Sequence, residues 1–78
     1  MIDLFILETC PFCQKVMNFL KEENIKYNKI DTANTDNVLK LLSIGGKDQV
    51  PFLYNPKTND KIYESNDIMT YLKNYKQD

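Results

Sequence analysis

The sequence has no histidine, no arginine and only two cysteines, Cys10 and Cys13. A zinc site needs at least two ligands beyond a cysteine pair, and neither histidine nor a third cysteine is there to supply them. Zinc bound within one chain is therefore disfavoured, and we expect no metal site. Ten lysines against eleven acidic residues leave a net charge of −1. Because no basic stripe is present, we expect no nucleic-acid partner.

Long apolar segments are also missing. The strongest apolar run, residues 2–7, is interrupted by Asp3 and followed directly by Glu8, whereas a bilayer-spanning helix needs about 20 apolar residues. We therefore expect neither a signal peptide nor a membrane partner. Two cysteines are too few for the disulfide framework of a small secreted protein. This favours a reducing, cytoplasmic location.

The apolar pattern predicts the element order β-α-β-α-β-β-α in a single domain over residues 1–78, which we expect to be a monomer. Strands are expected near residues 2–7, 26–31, 52–54 and 61–63. Helices are expected at about 10–23, from about 35 to 45, and from 65 to about 75. The first two strands should be parallel, because the chain between them is long enough for a right-handed crossover.

The second and third helices carry specific expectations. An apolar face is expected on the second helix, formed by Val38, Leu39, Leu41 and Leu42. Gly45 and Gly46 should end that helix, since glycine tolerates the left-handed conformation found there. Ser65 is expected to be the N-cap of the third helix.

The Cys-Pro-Phe-Cys stretch at residues 10–13 follows the first strand and opens the first helix. Proline suits the first turn of a helix, and a cysteine pair with this spacing at a strand-to-helix junction indicates a redox pair. Cys10, at the helix N-terminus, is the expected nucleophile, because free N–H groups and the helix dipole stabilise a thiolate. Cys13, one turn further on the buried side, is placed to resolve a mixed disulfide on Cys10.

Three separated motifs together resemble the glutaredoxins, a branch of the thioredoxin fold. Cys-Pro-Phe-Cys is similar to the dithiol glutaredoxin motif, and Gln49-Val50-Pro51 to the family's Thr-Val-Pro, whose proline is cis. The residues alone cannot show a cis bond, and without the resemblance Pro51 could be an ordinary strand start. Glu64-Ser65 looks like an element of glutathione-transferase N-terminal domains and of the larger, transferase-like glutaredoxins. The resemblance spans residues 2 to about 75 and implies a thioredoxin-like α/β fold, a four-stranded mixed sheet flanked by three helices.

The resemblance implies a glutathione-dependent thiol–disulfide oxidoreductase with Cys10 and Cys13 as catalytic residues. Glutathione would be a co-substrate, with no tightly bound cofactor, and the protein partners would be disulfide-containing or glutathionylated proteins. Glu64 would take the ammonium group of glutathione, while Ser65 and the Asn66 backbone would take its γ-glutamyl carboxylate. The full set of expected glutathione contacts is Phe12, Gln49, Val50, Pro51, Glu64, Ser65 and Asn66.

The main departure from the glutaredoxin pattern lies just before the cysteines. Glutaredoxins commonly have a basic residue three positions before the first cysteine, which pairs with the glycyl carboxylate of glutathione, and this chain has Leu7. Glu8 adds a negative charge that disfavours a thiolate on Cys10. Lys40 or Lys47 could supply the missing cation, although an ordinary surface lysine is the favoured interpretation of each.

The departure keeps other functions open. The chain could be a thioredoxin-like electron donor that a flavoprotein reductase reduces. It could instead carry an iron–sulfur cluster between Cys10 of two chains and two glutathiones, which Pro11 makes less favourable. A transferase-type N-terminal domain with a scaffolding role is a further alternative, and it predicts a poorly reactive Cys10.

Overall fold

The computed structural model describes residues 1–77, which form four strands and three helices. The strands are β1 (Ile2–Ile6), β2 (Tyr27–Asp31), β3 (Phe52–Asn55) and β4 (Asp60–Tyr63). The helices are α1 (Pro11–Glu22), α2 (Thr35–Gly45) and α3 (Ser65–Lys73). The predicted order of elements is confirmed. Within residues 1–77, no helix has the length and apolar character that a membrane span requires.

The strands form one mixed sheet in the order β2-β1-β3-β4. Strand β1 lies parallel to β2, as predicted from the length of the chain between them. On its other side β1 lies antiparallel to β3, and β3 forms an antiparallel hairpin with β4. With α1, α2 and α3, this is the four-stranded, three-helix thioredoxin-like fold that the sequence implied. The fold prediction is therefore confirmed.

The core has two parts, one on each face of the sheet. Side chains alternate across a strand, so Leu4 and Phe5 contribute to different clusters. Because β1 is covered on both faces, it is apolar at nearly every position. The larger cluster, which includes residues of α1 and α3, comprises Ile2, Leu4, Ile6, Cys13, Val16, Leu20, Leu53, Ile68 and Leu72. The smaller cluster, which includes one residue of α2, comprises Phe5, Leu41 and Phe52.

The predicted apolar face of α2 is only partly correct. Leu41 is fully buried and Ile44 packs against the same cluster, but Leu39 is 60% exposed and Leu42 is 38% exposed. Residues three apart share a helix face, so Leu41 and Ile44 point to the sheet together, whereas Leu39 and Leu42 lie off that line. The predicted end of α2 is confirmed, because Gly46 has a left-handed φ of 84° and its N–H donates to the Leu42 carbonyl.

The start of α3 differs by one residue from the prediction. Ser65 is the first residue of the helix, and Glu64 is the N-cap, with a φ of 70° and no side-chain capping bond. The Glu64 carbonyl accepts the first backbone hydrogen bond of the helix, from Ile68 at 3.0 Å. The prediction that Ser65 caps the helix is therefore wrong. The sharp backbone turn at Glu64 starts the helix early and buries Ser65 to 8% exposure.

Candidate functional site

Strand pairing brings the three sequence motifs to one edge of the sheet. Phe5, near the end of β1, pairs with Phe52 at the start of β3, and Phe52 pairs with Tyr63 at the end of β4. The segments that follow β1, precede β3 and follow β4 therefore meet at the same edge. These segments contain the cysteine pair, residues 49–51 and residues 64–66.

Cys10 lies at the N-terminus of α1, as the N-cap of the helix. Its Sγ accepts a hydrogen bond from the backbone N–H of Cys13 at 3.3 Å, and Pro11 occupies the first turn. No acidic residue lies in that turn. Cys10 is partly exposed, and both cysteines are free thiols. The helix end thus offers an N–H donor to this sulfur, which suits a thiolate nucleophile.

Cys13 is in a different environment, fully buried in the core beside Cys10. Burial is the main cause that raises the pKa of Cys13 to about 12, and a hydrogen bond with the Cys10 side chain adds to it. At neutral pH, Cys13 is therefore a thiol and a poor nucleophile. The pair is asymmetric, with an accessible sulfur on a helix end and a buried, protonated one behind it.

The negative charge of Glu8 is paired, which the sequence did not reveal. The Lys29 ammonium lies 2.7 Å from the Glu8 carboxylate, and this contact raises the pKa of Lys29. Both side chains are about half exposed. On the other side, the Gln14 amide donates to the Glu8 carbonyl at 2.8 Å. The expected opposition between Glu8 and a Cys10 thiolate is therefore weakened by Lys29, a residue that only the register of β1 and β2 brings near.

A pocket of about 320 Å³ opens at the same edge of the sheet. Its wall joins Phe12, which lies between the cysteines, to the segment before β3 and the start of α3. The residues that line it are Phe12, Gln49, Val50, Pro51, Glu64, Ser65 and Asn66. These are the same seven residues that the sequence resemblance assigned to glutathione. The structure brings them together in one cavity, and their role as ligand contacts stays a prediction.

A hydrogen bond between two residues that line the pocket was not foreseen from the sequence. The Gln49 amide donates to the Glu64 carboxylate at 2.9 Å, which joins the segment before β3 to the start of α3. The neighbouring Val50–Pro51 peptide bond is cis, as the resemblance implied. No local sequence pattern announces the contact between Gln49 and Glu64, because fifteen residues separate them.

The lysines considered for the missing cation lie outside the pocket wall. Neither Lys40 nor Lys47 is among the residues that line it. The Lys47 ammonium lies over the Tyr63 ring, 5.4 Å from its centroid. The Tyr63 hydroxyl also accepts from the Lys47 N–H at 3.2 Å and donates to the Lys47 carbonyl at 3.0 Å. Lys47 thus anchors the loop after α2. Leu7 is 37% exposed.

A larger cavity of about 480 Å³ lies elsewhere on the molecule, where Tyr71 and Tyr75 stack with ring centroids 6.3 Å apart. It contains neither cysteine. Its lining consists of Met1, Asn55, Lys57, Thr58, Thr70, Tyr71, Asn74, Tyr75 and Lys76. Asn55, which lines this cavity, pairs with Asp60 at one end of the β3–β4 hairpin, whereas Phe52 pairs with Tyr63 at the other end, next to the cysteine edge. The cavity is therefore remote from the redox pair.

Comparison with known protein families decides which family the chain represents. The family described as "Glutathione S-transferase, N-terminal domain" matches residues 4–77, almost the whole chain. The chain belongs to this family. The matched residues of this glutathione S-transferase N-terminal domain include all three motifs of the chain, and the match agrees with the family resemblance given by the Glu64-Ser65 element. No curated protein sequence matches the chain.

Solved structures place this glutathione S-transferase N-terminal domain among glutaredoxins and related proteins. Glutaredoxin 2 from Salmonella typhimurium, in complex with glutathione, has a TM-score of 0.79 and 27% identity, over 95% of this chain and 33% of that one. Ure2p in complex with glutathione has a TM-score of 0.74 and 27% identity, over 91% of this chain and 31% of that one. The chain thus spans about a third of these two relatives.

A third structure has nearly the same length as this chain. The glutaredoxin from Archaeoglobus fulgidus has a TM-score of 0.74 and 21% identity, and the alignment covers 92% of this chain and 85% of that one. At this identity the similarity demonstrates the shared fold. A domain of this size therefore exists both as most of a small glutaredoxin and as about a third of larger relatives.

Proposed function

We propose that the chain is a glutathione-dependent thiol–disulfide oxidoreductase of the glutaredoxin type. The observation that carries this proposal is the asymmetric pair at the start of α1, beside a pocket of about 320 Å³. Cys10 is partly exposed on a helix end, whereas Cys13 is buried. A transferase that only activates glutathione has no need for a second, resolving thiol next to the first.

In the monothiol route, the Cys10 thiolate attacks the glutathione sulfur of a protein–glutathione mixed disulfide. The new bond joins Cys10 to glutathione, and the protein sulfur leaves as a thiolate that takes a proton from solvent. A second glutathione thiolate then attacks the glutathione sulfur on Cys10. Oxidised glutathione departs and Cys10 returns as a thiolate, so each cycle consumes one mixed disulfide and one free glutathione and yields the protein thiol and oxidised glutathione.

In the dithiol route, Cys13 resolves a substrate disulfide that is held on Cys10. Cys13 must first lose its proton, which burial opposes. A mixed disulfide on Cys10 removes the charge and the hydrogen bond with which Cys10 raises the pKa of Cys13. Formation of the intermediate therefore makes Cys13 easier to ionise than in the reduced protein. Attack by Cys13 releases the substrate thiolate and leaves a Cys10–Cys13 disulfide, which glutathione reduces.

The lining of the pocket supports glutathione as the small thiol. Glu64 offers a carboxylate for the ammonium group, and the N-terminus of α3 at Ser65 and Asn66 offers N–H groups to a carboxylate. The backbone of Val50 would pair with the extended ligand. The glutathione complexes of Salmonella glutaredoxin 2 and Ure2p support this assignment. We further propose that the protein acts in a reducing, cytoplasmic setting.

The proposal is tested by the source of electrons. With a glutathionylated peptide as substrate, glutathione and its reductase should sustain turnover, and a thioredoxin reductase should not. A result with turnover only from the flavoprotein reductase would instead establish the second candidate, a thioredoxin-like electron donor. That candidate is favoured by one observation, the exposed Leu7 where a cation for glutathione is expected.

A further inference from the structure

The pocket at the redox edge carries a single ionisable side chain. Of the seven residues that line it, only Glu64 is charged, and the others are apolar or neutral amides and a hydroxyl. Within residues 1–77, no lysine contributes to the wall. The wall offers one carboxylate for an ammonium group and one helix N-terminus, at Ser65 and Asn66, for an anion. These groups match the α-ammonium and the α-carboxylate of a γ-glutamyl group.

Two lysines near this edge of the sheet have contacts outside the pocket wall. Lys29 forms an ion pair with Glu8, with 2.7 Å between ammonium and carboxylate. Lys47 stacks its ammonium on the Tyr63 ring at 5.4 Å, and its backbone is held by the Tyr63 hydroxyl. The residue that follows β1 at this edge is Leu7, which is apolar and 37% exposed. Within residues 1–77, the pocket wall thus provides no cation for a second carboxylate on a ligand, and Lys29 and Lys47 already contact Glu8 and Tyr63.

We propose that the pocket recognises thiols that carry a free γ-glutamyl end and makes little distinction according to whether a C-terminal glycine follows the cysteine. This inference rests on the proposed function and specifies its substrate class. Glutathione has two carboxylates, and the wall of the pocket provides a binding element for one of them. Glutathione and γ-glutamylcysteine are then nearly equivalent ligands, because no cation lines the pocket in the described part of the chain to contact the glycyl carboxylate of glutathione.

The experiment uses one model peptide with a single cysteine, joined as a mixed disulfide to three different thiols. These are glutathione, γ-glutamylcysteine and mercaptoethanol, which has no amino acid end. The reduced protein is mixed with excess peptide, and the rate of peptide-thiol release is measured in a single turnover. Each rate is divided by the rate of the same disulfide with dithiothreitol, which removes differences in intrinsic reactivity. The step measured is attack of Cys10 on the small-thiol sulfur with departure of the peptide thiolate.

We expect the normalised rates for glutathione and γ-glutamylcysteine to agree within about threefold, and both to exceed that for mercaptoethanol. A cation bonded to the glycyl carboxylate inside the pocket would favour glutathione by about tenfold or more, since hydrogen bonds to charged groups have that effect. A preference of that size for glutathione overturns the inference and leaves the proposed function intact. Equal rates for all three disulfides overturn the proposed function itself.

Substitution at the edge provides a second measurement. Leu7→Lys places a cation beside the pocket, and an exposed ion pair should raise the preference for glutathione over γ-glutamylcysteine by about 1.5- to 5-fold. Leu42→Lys is the matched control, because Leu42 is equally exposed, at 38%, on α2, and it should leave the preference unchanged. A strong wild-type preference for glutathione that Lys47→Ala abolishes would contradict the inference, since it would show that Lys47 leaves Tyr63 to bind the ligand.

Discussion

The hydrogen bond between Gln49 and Glu64 gives a prediction that depends directly on the geometry of the pocket. The Gln49 amide lies 2.9 Å from the Glu64 carboxylate, and both residues line the pocket. Gln49→Ala removes this donor and leaves Cys10 and Cys13 unchanged. A hydrogen bond of this kind contributes about 0.5–1.5 kcal/mol, which corresponds to about a 2- to 12-fold change in affinity. We therefore expect KM for a glutathionylated peptide to rise by that factor, with kcat unchanged.

The design of this experiment must separate an effect through Glu64 from a general loss of structure. If Gln49 acts by positioning Glu64, Gln49→Ala should have little further effect when Glu64→Ala is already present. Gln14→Ala is a suitable control, because the Gln14 amide makes a similar exposed hydrogen bond, at 2.8 Å, to the Glu8 carbonyl. Because Gln14 does not line the pocket, the loss of its hydrogen bond should change KM by less than about twofold. An equal rise in KM with and without Glu64, or a fall in kcat alone, would refute the positioning role.

Three further predictions concern other contacts. Hydrogen bonds from the hydroxyl groups of Thr58, chiefly, and of Tyr71 lower the pKa of Asp60 in the folded protein. Ionised Asp60 therefore stabilises the fold fully at pH values above its ordinary pKa of 3.8, and this contribution is lost as the pH falls through the folded-state pKa. The difference in free energy of unfolding between wild type and Asp60→Asn, measured by urea unfolding, should therefore shrink below about pH 4. A difference that does not change with pH would contradict this prediction. Gly45→Ala should destabilise by about 1–3 kcal/mol, because its methyl group would collide with the Tyr63 hydroxyl; a variant at least as stable as wild type would disprove this. Lys29→Ala leaves Glu8 unpaired and should slow alkylation of the nucleophilic thiol at low salt more than at high salt, whereas an unchanged rate would show that the pair has no influence.

Most of the fold could be predicted from local sequence patterns. The apolar run at residues 2–7 predicted the first strand, and the structure confirms it as Ile2–Ile6, with Leu4 and Phe5 fully buried. Gly46 marked the end of α2 because only a left-handed residue fits there. Leu39 could not be placed correctly, since hydrophobicity alone does not say which apolar side of a helix meets the sheet.

The candidate site was predictable in composition but not in its internal contacts. The seven pocket-lining residues were predicted from the family resemblance, which assigned them to one ligand. The pairs Gln49–Glu64 and Glu8–Lys29 join segments distant in sequence, so they depend on strand register and side-chain rotamers. Ser65 was misassigned as a cap because a glutamate with positive φ is uncommon.

The most direct test of the proposed function compares the two cysteine variants on a glutathionylated peptide, with glutathione and its reductase as the electron source. Cys10→Ser removes the sulfur that lies on the helix end, so turnover should fall to the uncatalysed level. Cys13→Ser removes only the buried thiol, so the monothiol route should continue. Activity in Cys10→Ser together with none in Cys13→Ser would contradict the assignment of nucleophile and resolving thiol on which the whole mechanism depends.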